Sequence, residues 1–172
     1  MLEKRLNSVI KDYPNFPING ILFRDLLPIL ENPELFSELI EKMSFSRIIN
    51  DAEVLVGIDA RGFVIASSIA FKAKKPLLLA RKPGKLPGEL VEASYELEYG
   101  KNSLSMQKES IKKYENFAIV DDLLATGGTI NCLVSILKEN KKNITGVLVV
   151  AELEKLNGRN KIPCPVESRI KL

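Results

Sequence analysis

The residues best placed to do chemistry lie between positions 117 and 129. Phe117, Ala118, Ile119 and Val120 make an unbroken apolar run, as a strand buried on both faces requires. Two adjacent acids, Asp121 and Asp122, follow at the end of that expected strand, 117–120. Small residues come next: Ala125, Thr126, Gly127, Gly128 and Thr129. From Ile130 the apolar positions Leu133, Val134 and Leu137 recur with helical spacing, predicting a helix over 129–139. A strand that passes through a Gly/Thr turn into a helix exposes backbone N–H groups beside hydroxyls, which suits a phosphate at a helix N-terminus. The acids would repel a phosphate but accept hydrogen bonds from sugar hydroxyls. The combination predicts a phosphorylated sugar as ligand. Without the acids and threonines the same turn would be a tight connection and nothing more. The chain carries neither the Gly-x-x-x-x-Gly-Lys-Ser/Thr nor the Gly-x-Gly-x-x-Gly pattern of the usual nucleotide loops.

Other segments offer chemistry with a plainer alternative beside it. Ile58, Asp59, Ala60, Arg61, Gly62 and Phe63 repeat the strand–turn–helix logic. Their amides, with Arg61, suit a second anion; the alternative is an ordinary turn with Asp59 capping the helix. Arg81, Lys82 and Lys85 stand among Pro83, Gly84, Pro87 and Gly88, either an anion site on a mobile loop or a solvated surface. Ser94 to Gly100 reads by spacing as an amphipathic hairpin strand with exposed acids.

These residues need elements to hold them. Leu2, Leu6, Val9 and Ile10 predict a short amphipathic helix within 2–12. Residues 13–29, punctuated by Pro14, Pro17, Gly20 and Pro28, read as irregular around an extended Ile21, Leu22 and Phe23. Asn32 and Pro33 predict the start of a helix over 33–43. Val54–Ile58 reads as a buried strand, 62–73 as a helix, Pro76–Ala80 as a strand, and 91–107 as a hairpin turning at Gly100, Lys101 and Asn102. A strand over 145–151 follows the helix at 129–139. The alternation predicts an α/β fold with a mainly parallel sheet flanked by helices, whose ligands bind beyond the carboxyl ends of the strands.

Composition narrows the choice of chemistry. The 172 residues suffice for a single domain with a sizeable core. The net charge of +3 is dispersed apart from Lys72, Lys74 and Lys75, which argues against a nucleic-acid-binding stripe. The absence of histidine excludes Ser–His and Cys–His catalysis and leaves acid–base work to carboxylates, Lys or Tyr. Cys132 and Cys164 make neither a disulfide framework nor a zinc site, so a reducing compartment is expected. The first residues lack an apolar signal core and no apolar run is long enough to span a membrane. The expected location is cytoplasmic, with no membrane or nucleic-acid partner and no protein-made metal site.

The string from Val120 to Thr129 resembles the signature of type I phosphoribosyltransferases, in the form found in adenine phosphoribosyltransferases. The resemblance extends from about residue 14 to about 162. Asp59 to Gly62 resembles the family's pyrophosphate loop, which implies a cis peptide between Asp59 and Ala60. Arg81, Lys82 and Lys85 match cations that hold pyrophosphate, some across a homodimer interface. Glu98 matches a carboxylate that exchanges a proton with the purine, and Tyr99 the aromatic beside it on a flexible lid of about 81–107. Phe16 to Asp25 is similar to a hood of about 1–35, with Asn19 where relatives often carry Pro. There Leu22 and Arg24, the latter through its backbone, line adenine and Leu153 covers its other face; core packing is the alternative for both leucines. The resemblance implies that Asp121 and Asp122 hold ribose hydroxyls and Ala125 to Thr129 the 5-phosphate. The implied substrates are adenine and 5-phosphoribosyl-1-pyrophosphate, the products AMP and pyrophosphate, and the cofactor Mg²⁺, held mostly by the donor. A transferase for another purine base, or a donor-sensing, nucleic-acid-binding regulator on the same fold, is the alternative. Asn157, Gly158 and Arg159 match the family's Gly-Arg turn; the segment after Arg159 receives no function.

Overall fold

The computed structural model describes residues 2–97 and 100–172, with the backbone alone described over 95–97 and 100–102. In chain order, helix α1 (Leu2–Val9) leads into strand β1 (Lys11–Pro14), paired antiparallel with β2 (Leu22–Asp25). Helices α2 (Leu27–Leu30), α3 (Pro33–Ser44) and α4 (Arg47–Asn50) follow. Then come β3 (Val54–Ile58), α5 (Gly62–Ala73) and β4 (Leu77–Ala80). An antiparallel hairpin of β5 (Leu90–Leu97) and β6 (Gly100–Gln107) is followed by α6 (Lys108–Ile111), β7 (Asn116–Leu124), α7 (Gly128–Glu139) and β8 (Asn143–Glu152). Two 3₁₀ turns, Glu154–Leu156 and Gly158–Lys161, lead to β9 (Val166–Lys171). The main sheet is parallel and five-stranded, in the order β4–β3–β7–β8–β9.

The sheet separates two apolar cores, which is why its central strands carry no polar face. One core packs Leu35, Leu39, Met43, Ile65 and Ile69 of α3 and α5 against Ala118, Val120, Leu148 and Val150. The other packs Leu133, Ile136 and Leu137 of α7 against Val56, Phe117, Ile119 and Val147. Leu104 and Met106 of the β5–β6 hairpin are buried in this second core, and the Cys132 thiol donates to the Ala93 carbonyl at 3.2 Å. The stem of the hairpin is therefore part of the packed interior.

The sequence placed β3 and α5 to the residue and α3 and α7 to within one. Several expectations need correction. Helix α1 ends at Val9, because Lys11–Pro14 pairs with Leu22–Asp25; that span read as largely irregular, but its cross-strand partners make it a hairpin. Gly100, Lys101 and Asn102, expected as the hairpin turn, instead begin β6, where Gly100 pairs with Leu97. β7 runs four residues past Val120 and carries both acids within it, not beyond its end. The short helices α4 and α6 and the edge strand β9 carry little periodicity, and only packing against the sheet reveals them. Among the described residues, no helix is long and apolar enough to cross a membrane.

Helix α3 begins as its sequence predicts: the Asn32 side chain accepts from the Leu35 N–H at 3.0 Å, with Pro33 in the first turn. Asn32→Ala removes that acceptor and leaves a helix-end donor unmet. The expected cost is about 1 kcal/mol, read as a lowered denaturant midpoint at unchanged slope.

Candidate active site

On β7 the two acids point to opposite faces of the sheet, as consecutive strand residues must. Asp121 is in phase with Phe117 and Ile119 on the α7 side, and lines a small cavity of about 80 Å³ with Leu123 to Ile130. Asp122 is in phase with Ala118 and Val120, and lines an apolar cavity with Leu26, Leu30, Val64 and Ile65 under the N-terminal hairpin. Both are buried, at 9% and 8% exposure, so neither is a solvated strand-end acid. Their edges meet again in a cleft of about 420 Å³ lined by Ile58 to Arg61, both acids, Leu123, Ala125 and Thr129. That size falls within the range of small-molecule sites.

Arg61 sets the electrostatics of this cleft. Its Nε lies 2.8 Å from Asp122 Oδ2, a close ion pair, although Oδ2 receives no hydrogen bond. The same guanidinium stacks over the Phe23 ring at 5.5 Å, tying the N-terminal hairpin to the acid. Phe23 packs edge-to-face on Phe16 with centroids 5.2 Å apart. The Asp59–Ala60 peptide is cis, as the resemblance implies. Asp59 does not cap α5: Arg61 holds that position without a side-chain cap, while Asp59 accepts from Arg81 Nε at 3.1 Å. Gly62 opens α5 directly against β7, where an added Cβ would lie 2.5 Å from Asp121 Oδ1. The approach leaves no room for a side chain.

The small-residue loop behaves as a turn into α7. Gly127 caps the helix at φ +80 with no side-chain hydrogen bond, so the loop presents backbone and the Thr126 side chain to the cavity. Arg81 is drawn to the cleft through Asp59 and stacks over Phe63 at 5.7 Å. Lys82 and Lys85 are exposed and do not line the cleft. Leu22 is 46% exposed on β2; Leu153 is half-buried and donates its N–H to the Leu124 carbonyl at 2.9 Å. The Arg24 guanidinium is held by Asp12 across the hairpin. Glu98 and Tyr99 lie outside the described residues. Sequence reasoning overlooked Phe23 as the platform for Arg61; the only signal was an aromatic in the Phe23-Arg24-Asp25 run.

Burial pushes the Asp121 carboxyl well above the usual carboxylate range, and the neighbouring Asp122 charge adds to the shift. The Asp122 N–H, donated to Asp121 Oδ1 at 2.9 Å, and Arg61 oppose it. A carboxyl raised on folding contributes stability below its unfolded pKa and loses it as pH rises through the folded one. Asp121→Asn keeps an acceptor for the Asp122 N–H and carries no charge. Its Tm gain over the parent should be absent below the ordinary carboxylate range and grow as pH rises above it. A constant offset at all pH values would contradict this.

Residues 28–163 match the model of the phosphoribosyl transferase domain. An adenine phosphoribosyltransferase from Prochlorococcus marinus is 53% identical over 97% of this chain and 98% of its own length. The crystal structure of the enzyme of that name from Thermoanaerobacter pseudethanolicus superimposes with a TM-score of 0.91 at 34% identity, covering 100% of both chains. That of the Saccharomyces cerevisiae enzyme, complexed with an imino-altritol bisphosphate and adenine, gives 0.89 at 36% identity over 97% of each chain. A parallel α/β sheet with two acids and a glycine turn at its carboxyl edge, and likeness over the full length, place the chain in one group: it belongs to the adenine phosphoribosyltransferases, within the phosphoribosyl transferase domain family.

Proposed function

We propose that the chain transfers the phosphoribosyl group of 5-phosphoribosyl-1-pyrophosphate to adenine, releasing AMP and pyrophosphate, in purine salvage in the cytoplasm. The observation that carries this reading is the single cleft where Asp121 and Asp122, the 59–61 turn, Ala125 and Thr129 meet. In it the 125–129 loop takes the 5-phosphate, and the acids take the ribose hydroxyls from either side of β7. The turn at 59–62, with Arg61 and Arg81, receives pyrophosphate. As the bond from the anomeric carbon to pyrophosphate lengthens, positive charge develops on the ribose, and the negative charge shared by the acid pair on β7 stabilises it. The purine nitrogen attacks from the opposite side and inverts that carbon; Glu98 accepts the purine proton. Asp59, Asp121 and Asp122 line the same cleft without forming a cage, which fits an oxygen-liganded cation carried in by the donor. Mg²⁺ held there with the donor would supply positive charge to the pyrophosphate and so improve the leaving group.

The hood reading, about 1–35, is supported by the stack of Phe23 on Arg61, which sets the N-terminal hairpin over Asp122. With its guanidinium tied to Asp12, Arg24 has only its backbone to offer a base. The lid reading, about 81–107, has to accommodate a packed stem, because Leu104 and Met106 of the hairpin lie in the core. Exposed Lys82 and Lys85, away from their own cleft, support a homodimer in which they complete a neighbour's site.

Three measurements test the proposal. Asp122→Asn should lower turnover by roughly 100-fold, about 2.7 kcal/mol of transition-state stabilisation. Because Asp122 is buried and paired with Arg61, the variant is checked by thermal unfolding alongside, and unchanged kcat/KM for the donor would remove the acid from the mechanism. Pyrophosphate release with adenine, hypoxanthine and guanine should favour adenine by roughly 30-fold to 10⁴-fold, because the reversed donor–acceptor pattern of hypoxanthine leaves buried groups unpaired. Comparable kcat/KM for adenine and hypoxanthine would overturn the base assignment. Light scattering at assay concentration should give a dimer; a fully active monomer would end the shared-site reading.

A further inference from the structure

The loop proposed to hold the 5-phosphate has little of its own to keep it in shape. Ala125, Thr126, Gly127 and Gly128 carry small side chains, and Gly127 caps α7 with no side-chain hydrogen bond. Backbone donors aimed at an anion need sub-ångström placement, and glycine-rich turns do not supply it alone. The placement comes from the C-terminal segment. Gly158 lies against the loop so closely that an added Cβ would sit 2.1 Å from the Ala125 carbonyl oxygen and 2.9 Å from the Gly127 nitrogen. In return, a Cβ on Gly127 would come 2.6 Å from the Gly158 carbonyl oxygen. Two stretches of bare backbone are in direct contact.

What holds Gly158 there is a partly buried charged knot. Glu152, 5% exposed at the end of β8, accepts from Arg159 Nε at 2.9 Å and from Arg159 Nη2. Arg159 Nη1 donates to the Val166 carbonyl and Nη2 to Ser168 Oγ at 3.3 Å, both on β9. The Ser168 hydroxyl closes the set by donating to Glu152 at 3.0 Å. One step along, the Leu153 N–H bonds the Leu124 carbonyl just ahead of the loop. Such an ion pair adds little net stability, but one bonded to several partners on two strands holds its surroundings in a single arrangement.

We propose that Glu152, Arg159 and Gly158 are positioning residues for the phosphate loop, setting affinity for the phosphate end of the donor and of the nucleotide product through the loop's shape. The inference rests on the reading that residues 125–129 hold the 5-phosphate. It gives the segment after Arg159 a function: β9 anchors the far side of the knot.

The test uses the full chain and two probes, ribose 5-phosphate and pyrophosphate, with affinities measured by calorimetry. Arg159→Met should weaken ribose 5-phosphate by about tenfold or more and leave pyrophosphate within about twofold, and Arg159→Lys should recover part of the loss. In steady state, KM for the donor rises while kcat at saturation holds. Equal loss of both probes, or no loss of either, overturns the proposal. Should Arg159→Met fail to fold, Gly158→Ala, which adds one methyl against the Ala125 carbonyl, is held to the same selective loss. Thr126→Glu, which places a like charge in the loop, separates the two readings. If Thr126→Glu leaves ribose 5-phosphate untouched, the loop reading fails and the proposal with it. If Thr126→Glu abolishes binding while Arg159→Met and Gly158→Ala do not weaken it, only the positioning role falls.

Discussion

Two carboxylates on consecutive residues of a buried strand are the constraint to which the surroundings of β7 conform. Neither could be held there unaided, because taking a charge out of water costs far more than any single contact returns. The strand itself supplies the first part of the answer by sending Asp121 and Asp122 to opposite faces. Each is then accommodated differently. Asp122 is met by the Arg61 guanidinium, which is held in turn on the Phe23 ring. Asp121 takes the Asp122 N–H and lies against Gly62, and its carboxyl is driven toward the protonated form. The two acids thus differ in character despite identical chemistry. A third acid, Asp59, is occupied by Arg81. The cleft holds ion pairs whose cations are those suited to receive anionic groups.

Close backbone contact is the second organising feature. Gly57 sets β3 against α5, where a Cβ would lie 2.8 Å from that of Ala66. Gly62 brings the start of α5 onto Asp121, and Gly127 meets Gly158 with no side chain between them. At the last two points a turn at the carboxyl edge of the sheet touches a neighbouring element. Such contacts are stiff, because no side chain can rotate to absorb a displacement. The site is therefore built on segments that support one another, even though its proposed ligand groups come from loops.

Much of this was legible in the residues. The apolar runs at 54–58 and 117–120, the helical periodicity of 62–73 and 129–139 and the Asn32-Pro33 cap are local signals. They specified the parallel α/β frame because hydrophobic spacing and capping act within a few residues. Part of the cleft was legible for the same reason: Asp121, Asp122, Ala125 and Thr129, which line it, lie close together in sequence. What the chain did not reveal is what depends on partners far away in sequence. β1 and β2 are strands only because they pair with each other, and β9 only because β8 is there to receive it. That Asp121 and Asp122 face different cores, that Arg61 rests on Phe23, and that Gly158 bears on the 125–129 loop were decided by tertiary structure. Direction, burial and close approach are properties of the packed sheet, and composition and spacing alone do not encode them.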